Sequence, residues 1–311
     1  MEPFQMLAIF TNSFDVTTDL IIKHLDGKTK FFRFNSDLLS DYSITWEPGH
    51  WKITNVVTSD SLTSSNISTA YWRKPLEMLS EAIPGYPEPF YSSEIRYAFR
   101  EIINSIIRSR KFRLVEPFAE RRVGKFYQLE VALSYFPIPK TLFTLNPSAS
   151  IDISQLLDTD NVAAKSISGV EVSIDNVMYT SRVDPSSIDL EKPWYLQGLI
   201  DGNDDVTCAF VAGKCFWSRR TREAMGDYLD VRECQGLVND WEKYIASSLQ
   251  ESGVTSLMHD LSLDFGRLDF LENNGKLTFL EVNPNGQFAW LDEHNQRGLI
   301  SQVIDVITQD E

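Results

Sequence analysis

The chain opens with an unbroken apolar run, Leu7-Ala8-Ile9-Phe10, followed by apolar positions at helical spacing over residues 16–25 and a second strand pattern at Lys30-Phe31-Phe32-Arg33-Phe34. Strand, helix, strand predicts a small α/β unit. The turn after the first strand, Thr11-Asn12-Ser13-Phe14-Asp15, has no glycine and gives no support to a dinucleotide site, where the backbone must approach a pyrophosphate closely. Asp15 is expected to cap the helix that follows. Residues 41–75 read as polar and β-rich, ending in Ala70-Tyr71-Trp72-Arg73-Lys74-Pro75, where the proline stops the strand. Between Ser92 and Lys111, Ile95, Phe99, Ile102, Ile103, Ile106 and Ile107 form one apolar face of a long helix, with arginines opposite.

The pattern changes after Glu116-Pro117. A helix is predicted from Lys125 to Leu133 and a strand from Lys140 to Leu145, and short apolar runs at 162–165, 177–179, 194–196 and 206–210 point to an antiparallel sheet. A helix is expected over Leu237 to Leu249, and strand and helix alternate to the end.

Length and composition narrow the class. At 311 residues with 42% apolar content, the chain has material for two or three packed units. It lacks an apolar run of about 18 residues, and Glu2 stands where a signal peptide carries basic residues, so a cytoplasmic protein is expected. Three cysteines without a CxxC pair and four scattered histidines predict neither disulfides nor a zinc site. A net charge of -15 excludes broad nucleic-acid binding, so an anionic ligand must meet local lysines and arginines.

The most chemically informative stretch lies near the C-terminus. Leu263 to Leu271 and Leu277 to Gly286 are apolar strands around Glu272-Asn273-Asn274-Gly275, a hairpin signal. Strand alternation puts Glu281 and Asn283 on one face. A three-residue loop, Asn273 to Gly275, adds Asp269 to that face, whereas a two-residue loop sends it to the other. Two carboxylates and a carboxamide suit a hard cation such as Mg²⁺. The same residues also suit the solvated edge of a hairpin.

Phe279-Leu280-Glu281-Val282-Asn283-Pro284-Asn285-Gly286, preceded by Phe265-Gly266-Arg267-Leu268-Asp269, resembles the terminal magnesium motif of ATP-grasp enzymes. More closely, the whole chain resembles the ATP-grasp ligases that make graspetides, microviridin-type peptides with side-chain ester or amide rings. Arg33-Phe34-Asn35-Ser36-Asp37 and Tyr71 to Pro75 look like arginine-bearing segments of that family's N-terminal domain, and the similarity continues through Lys125, Lys165, Gln197 and Asp230-Val231-Arg232.

The resemblance implies an α/β ATP-grasp fold with three parts. These are an N-terminal pre-ATP-grasp domain over residues 1–118, a central lobe over 119–196 and a C-terminal lobe over 197–311. It implies Mg²⁺ on Asp269, Glu281 and Asn283, and ATP held by Lys125, Lys165, Ser166, Gln197, Leu199, Ile200 and Asp205. Ser166, Ser168 and Gly169 would form a small-residue loop over the phosphates. Arg232 and Lys165 would assist phosphoryl transfer, and Arg33, Arg73 and Asp230 would meet substrate. The chain departs from the family at Gly198, where an acid is usual, and at Thr207, where an arginine is usual. Arg219, Arg220 and Arg222 are candidate replacements for that arginine.

The implied reaction activates a side-chain carboxylate of a leader-bearing precursor peptide as an acyl phosphate. A hydroxyl or amine then attacks it to give an ester or amide. Carboxylate–amine ligation of a small molecule or protein tail, and a degenerate module that binds without turnover, are the alternatives. No nucleic-acid or membrane partner is expected, and a homodimer is allowed.

Overall fold

The computed structural model describes residues 5–27, 29–75, 88–145, 151–167, 180–222 and 241–309. The predicted opening is present: β1 (Met6–Thr11), α1 (Val16–His24) and β2 (Phe31–Asn35) form a parallel crossover, with Leu7 opposite Phe31 and Thr11 opposite Asn35. Asp15 caps α1 by accepting from the Thr17 N–H, as its position implied. Three antiparallel strands, β3 (Tyr42–Glu47), β4 (His50–Asn55) and β5 (Ser61–Thr63), make a separate small sheet. The chain then returns through β6 (Ile67–Trp72), parallel to β1 on its other side.

The long helix, α2 (Pro89–Arg108), starts on a proline whose fixed φ suits a first turn. It is followed by β7 (Phe112–Arg113), giving the sheet order β2-β1-β6-β7. Phe99, Ile102, Ile103 and Ile106 of α2 are buried against Phe10, Phe34, Trp51 and Ile53, so its predicted apolar face is the core of this unit.

Two short helices, α3 (Ala119–Arg122) and α4 (Lys125–Ala132), lead to a second antiparallel sheet. That sheet has the order β10-β9-β11-β8 and comprises β8 (Thr141–Thr144), β9 (Val162–Ala164), β10 (Ser181–Val183) and β11 (Trp194–Gly198). Between β8 and β9, α5 (Ile153–Leu157) packs Ile153 and Leu157 onto Val162, Ala164 and Leu196. The strand expected at 177–179 lies outside the described residues.

The third sheet, in the order β14-β13-β12-β15-β16, contains β12 (Asp204–Val211), β13 (Lys214–Thr221), β14 (Glu242–Lys243), β15 (Phe265–Asn273) and β16 (Lys276–Asn283). One of its faces packs Val206, Cys208, Leu268, Phe270 and Phe279 against α4 and against α6 (Ser248–Asp260). The helix expected over Leu237 to Leu249 is corrected here. Residues 237–240 lie outside the described residues, Glu242–Lys243 is a strand, and the helix starts at Ser248. Ser247 and Gln250 form a reciprocal capping box that sets this start, and the residues it buries, Val254, Leu257 and Met258, lie beyond the expected stretch.

The last helix, α7 (Leu299–Thr308), crosses back to the first unit. Its Leu299, Ile300, Val303 and Ile307 share a core with Leu7, Ile9 and Ile21 from the N-terminus and with Val211 and Phe265 from the third sheet. Among the described residues, no helix is long and apolar enough to cross a membrane.

Candidate active site

The hairpin of β15 and β16 carries the densest polar cluster, and its geometry corrects one expectation. The loop has two residues, Asn274 and Gly275, both at positive φ, with Asn273 paired to Lys276. The three-residue loop, Asn273 to Gly275, is therefore not the one observed. A two-residue loop in a regular ladder would separate Asp269 from Glu281. A bulge prevents this: Phe270 pairs with Phe279, but Asp269 pairs with Glu281, so Leu280 is the extra residue in β16. One residue added in the strand has the same effect on side-chain parity as one added in the loop. Asp269, Glu281 and Asn283 thus share a face, opposite the face on which Leu268, Phe270, Phe279 and Val282 enter the core.

On that face the Asn283 Nδ2 donates to Glu281 Oε1 at 3.2 Å and to Asp269 Oδ2 at 3.4 Å. Two neighbours also hold Asp269: Arg267, for which no role was expected, and Thr207, marked in the sequence only as a departure from the family. Arg267 Nη2 donates to its Oδ2 at 2.9 Å, and Thr207 Oγ1, directly across on β12, donates to its Oδ1 at 2.9 Å. Arg267 was detectable, because two residues along a strand share a face. Thr207 was not, because its pairing spans 62 residues of sequence.

Two lysines approach from the second sheet and its flanking helix. Lys125, the first residue of α4, places Nζ 3.3 Å from Glu281 Oε2 and donates to the Ser166 carbonyl at 3.0 Å. Lys165, immediately after β9, lies close enough for its charge to act on the same carboxylate. Burial pushes Glu281 up, but the two lysine charges, with hydrogen bonds from Asn283 and Lys125, outweigh it and hold the carboxyl below its ordinary range. Asp269 moves the other way. Burial raises it and the Glu281 charge adds to the rise, while Arg267 and Thr207 only partly offset them. Burial, with the Glu281 charge, pushes the Tyr195 hydroxyl up to about 12.

Gln128, one turn along α4 from Lys125, is a further residue without a sequence-level role. Its Oε1 accepts from the Val282 N–H at 2.5 Å, and the Pro137 carbonyl accepts from the Phe279 N–H at 2.9 Å. These two contacts satisfy the outer edge of β16, and the three-residue interval between them is the spacing the bulge creates.

The remaining sequence candidates are placed as follows. Gln197 is buried, donating to Thr141 Oγ1 at 3.1 Å, and the Leu199 N–H donates to the Asn161 carbonyl, with Ile200 half-buried beside it. Asp205 accepts from Arg220 and Arg222, each at 2.7 Å, while Arg219 pairs with Glu242 and Asp204. Arg33 lies in the first unit, on Asp19, Asn35 and the Asn12 carbonyl. Arg73 is not at a surface that substrate could reach: it is wholly buried, with its guanidinium on Asn285 and Gln287. Arg232, Asp230, Ser168 and Gly169 lie outside the described residues.

The donor set suits a hard divalent cation. It offers two carboxylates and a carboxamide within hydrogen-bond reach of one another, and a half-turn of the Asn283 amide would present its oxygen. No group of three or more His, Cys, Asp or Glu side chains arranged for a metal occurs among the described residues. A site here depends on the asparagine.

No family model matches the chain, and no curated protein matches it by sequence. Solved structures do match. A Chryseobacterium gregarium RiPP-associated ATP-grasp ligase in complex with ADP and a leader and core peptide is 21% identical, with 98% of this chain and 96% of that one covered and a TM-score of 0.80. The macrocyclase MdnC bound with precursor peptide MdnA, from Microcystis aeruginosa MRC, is 22% identical over 97% of this chain and 99% of its own, with a TM-score of 0.77. A D-alanine–D-alanine ligase from Bacillus anthracis complexed with ATP is 10% identical over 97% and 95% of the two chains, with a TM-score of 0.54. The chain has the ATP-grasp fold.

Proposed function

We propose that this protein is an ATP-dependent ligase that forms side-chain ester or amide links in a ribosomally made precursor peptide. The observation that carries the proposal is the convergence of Asp269, Glu281 and Asn283 on one sheet face beneath Lys125 and Lys165. The likeness to peptide-bound ATP-grasp ligases over nearly the whole chain supports the choice of substrate. Asp269, Glu281 and Asn283 would hold Mg²⁺, which when bound neutralises phosphate charge and orients the oxygens of ATP.

In this reading the nucleotide lies between the second and third sheets. Lys125 exchanges its contact with Glu281 for phosphate oxygens and Lys165 turns its charge to them as well, an ammonium being a compact charge suited to that role. Ser166, whose carbonyl already anchors Lys125, begins the segment over the phosphates. Gln197, Leu199 and Ile200 border the base. A peptide carboxylate attacks the γ-phosphate to give an acyl phosphate and ADP, and a hydroxyl or amine of the same peptide displaces phosphate. We assign Arg232 to charge stabilisation during that transfer. A reaction that consumes ATP and a ribosomal peptide places the enzyme in the cytoplasm.

The test is incubation with ATP, Mg²⁺ and a precursor peptide encoded beside this gene. ADP should appear, and mass spectrometry should show the loss of one water per ring. Glu281→Gln should stay folded and release no ADP. A precursor of unchanged mass, together with ADP release driven by a free amino acid or small carboxylate, would replace this reading with a small-molecule ligase. Absence of ADP with every substrate would favour a binding module.

A further inference from the structure

The strand that carries Glu281 and Asn283 ends in a turn, and that turn is gripped from the N-terminal unit. Arg73, immediately after β6, has the largest wholly buried side chain in the described protein. Its Nη1 donates to the Asn285 carbonyl at 2.6 Å and to Asn285 Oδ1 at 2.7 Å, and its Nη2 donates to Gln287 Oε1 at 2.5 Å. Its Nε lies 3.5 Å from Asp15 Oδ2, and the guanidinium stands 5.7 Å from the Phe288 ring centre. A guanidinium removed from water is costly unless charge and hydrogen bonds replace its hydration: here Asp15 supplies the charge and Nη1 and Nη2 are hydrogen-bonded, while Nε makes no hydrogen bond. Asp15 is itself held, accepting from Thr11, Thr18 and the Thr17 N–H. Gln287 Oε1 also accepts from Thr17 Oγ1 at 2.7 Å.

A tie of this kind would ordinarily be read as glue between two units. Two contacts extend it to the site. The Gly286 N–H donates to the Asn283 carbonyl, and a Cβ at Gly286 would sit 2.8 Å from Arg267 Cβ and 3.1 Å from Asn283 Cβ, so the turn lies hard against both residues. The Gln287 carbonyl accepts from Arg267 Nη1 at 3.2 Å, while Nη2 of the same arginine holds Asp269. Any displacement of the turn is therefore passed to Asn283 through the backbone and to Asp269 through Arg267.

We propose that Arg73 is a positioning residue for the divalent-cation site. From the N-terminal unit it fixes the turn that orients Asn283 and Asp269. The inference rests on the magnesium reading of that site. A lysine would keep the charge, but its point-like ammonium lacks the planar fork that spans Asn285 and Gln287 together.

The test uses the full-length protein with Mn²⁺ as probe, its binding in the presence of ADP followed by electron paramagnetic resonance. ADP affinity in chelator is measured alongside by calorimetry. Arg73→Lys should weaken Mn²⁺ binding about tenfold or more, the scale of losses when residues behind metal ligands change, while ADP affinity without metal stays at the wild-type value. Gln287→Ala, at an exposed position, should shift Mn²⁺ binding in the same direction by less, and it decides the matter if Arg73→Lys fails to fold. Wild-type Mn²⁺ binding in the folded variants, even with a lowered melting temperature, would reduce Arg73 to an interdomain tie and overturn the proposal. A wild-type protein that binds ADP but no Mn²⁺ would instead overturn the magnesium reading itself, and this inference with it.

Discussion

Glu281 feels the charges of two lysines, and the balance of charge around it sets how the site responds to pH. Its carboxyl is held low because Lys125 and Lys165 outweigh the cost of burial. An acid with a depressed folded pKa adds stability that is fully present above its unfolded value, about 4.3 for glutamate, and is lost as pH falls through the folded value. Lys125→Met should therefore unfold at lower urea than the parent at about pH 7, with the gap narrowing as pH falls below about 4.3 and on through the lowered folded value. Both side chains remain partly solvated, so the effect is expected to be small. A gap unchanged across that range would show that the Lys125–Glu281 pair adds nothing to folding. At this scale the sequence disclosed the donor residues themselves, because alternation along one strand is a local property. Thr207 reaches Asp269 from a distant strand, and Gln128 reaches the Val282 N–H between Glu281 and Asn283 from a distant helix, so no pattern along the hairpin marks either contact.

The hairpin of β15 and β16 depends on a compensation between its parts. Asn274-Gly275 makes the tighter turn, and the bulge at Leu280 restores the parity that this turn would otherwise invert. The bulge leaves β16 with an irregular outer edge, which Gln128 and Pro137 complete. Gln128→Leu should leave the Val282 N–H buried without its acceptor and cost about 1–3 kcal/mol, measured by urea denaturation. Glu281 and Asn283 flank Val282, so Mn²⁺ binding should weaken as well. Stability equal to wild type would mean that solvent replaces the glutamine and that the edge is open. The start of α6 was legible in principle, since Ser247 and Gln250 are three residues apart, but the apolar residues before them drew the expected helix too early. Bulge and loop together were not legible, because either an extra loop residue or an extra strand residue gives the same alternation of side chains.

Across the whole molecule, the N-terminal unit and the third sheet are bound by α7 as well as by Arg73. Ile307 is fully buried in the shared core, and its carbonyl accepts from Thr69 Oγ1 at 2.6 Å, 238 residues away in sequence. Ile307→Ala should cost about 2–5 kcal/mol, the usual range for emptying such a position, and should lower the denaturation midpoint reported from both units together. Loss of structure in the first unit alone would show that the two fold separately. The sequence by itself determined the kinds of elements, the strand-borne Asp269, Glu281 and Asn283, and the acidic balance of -15 that leaves any anion to local cations. These follow from spacing and composition over short stretches of chain. Only the tertiary structure decided that Arg73 is interior, that Lys125 and Lys165 meet Glu281, and that a bulge brings Asp269 to face it. Those outcomes depend on which distant surfaces bury one another. Burial rewards apolar area wherever it comes from, so local spacing does not specify the partner.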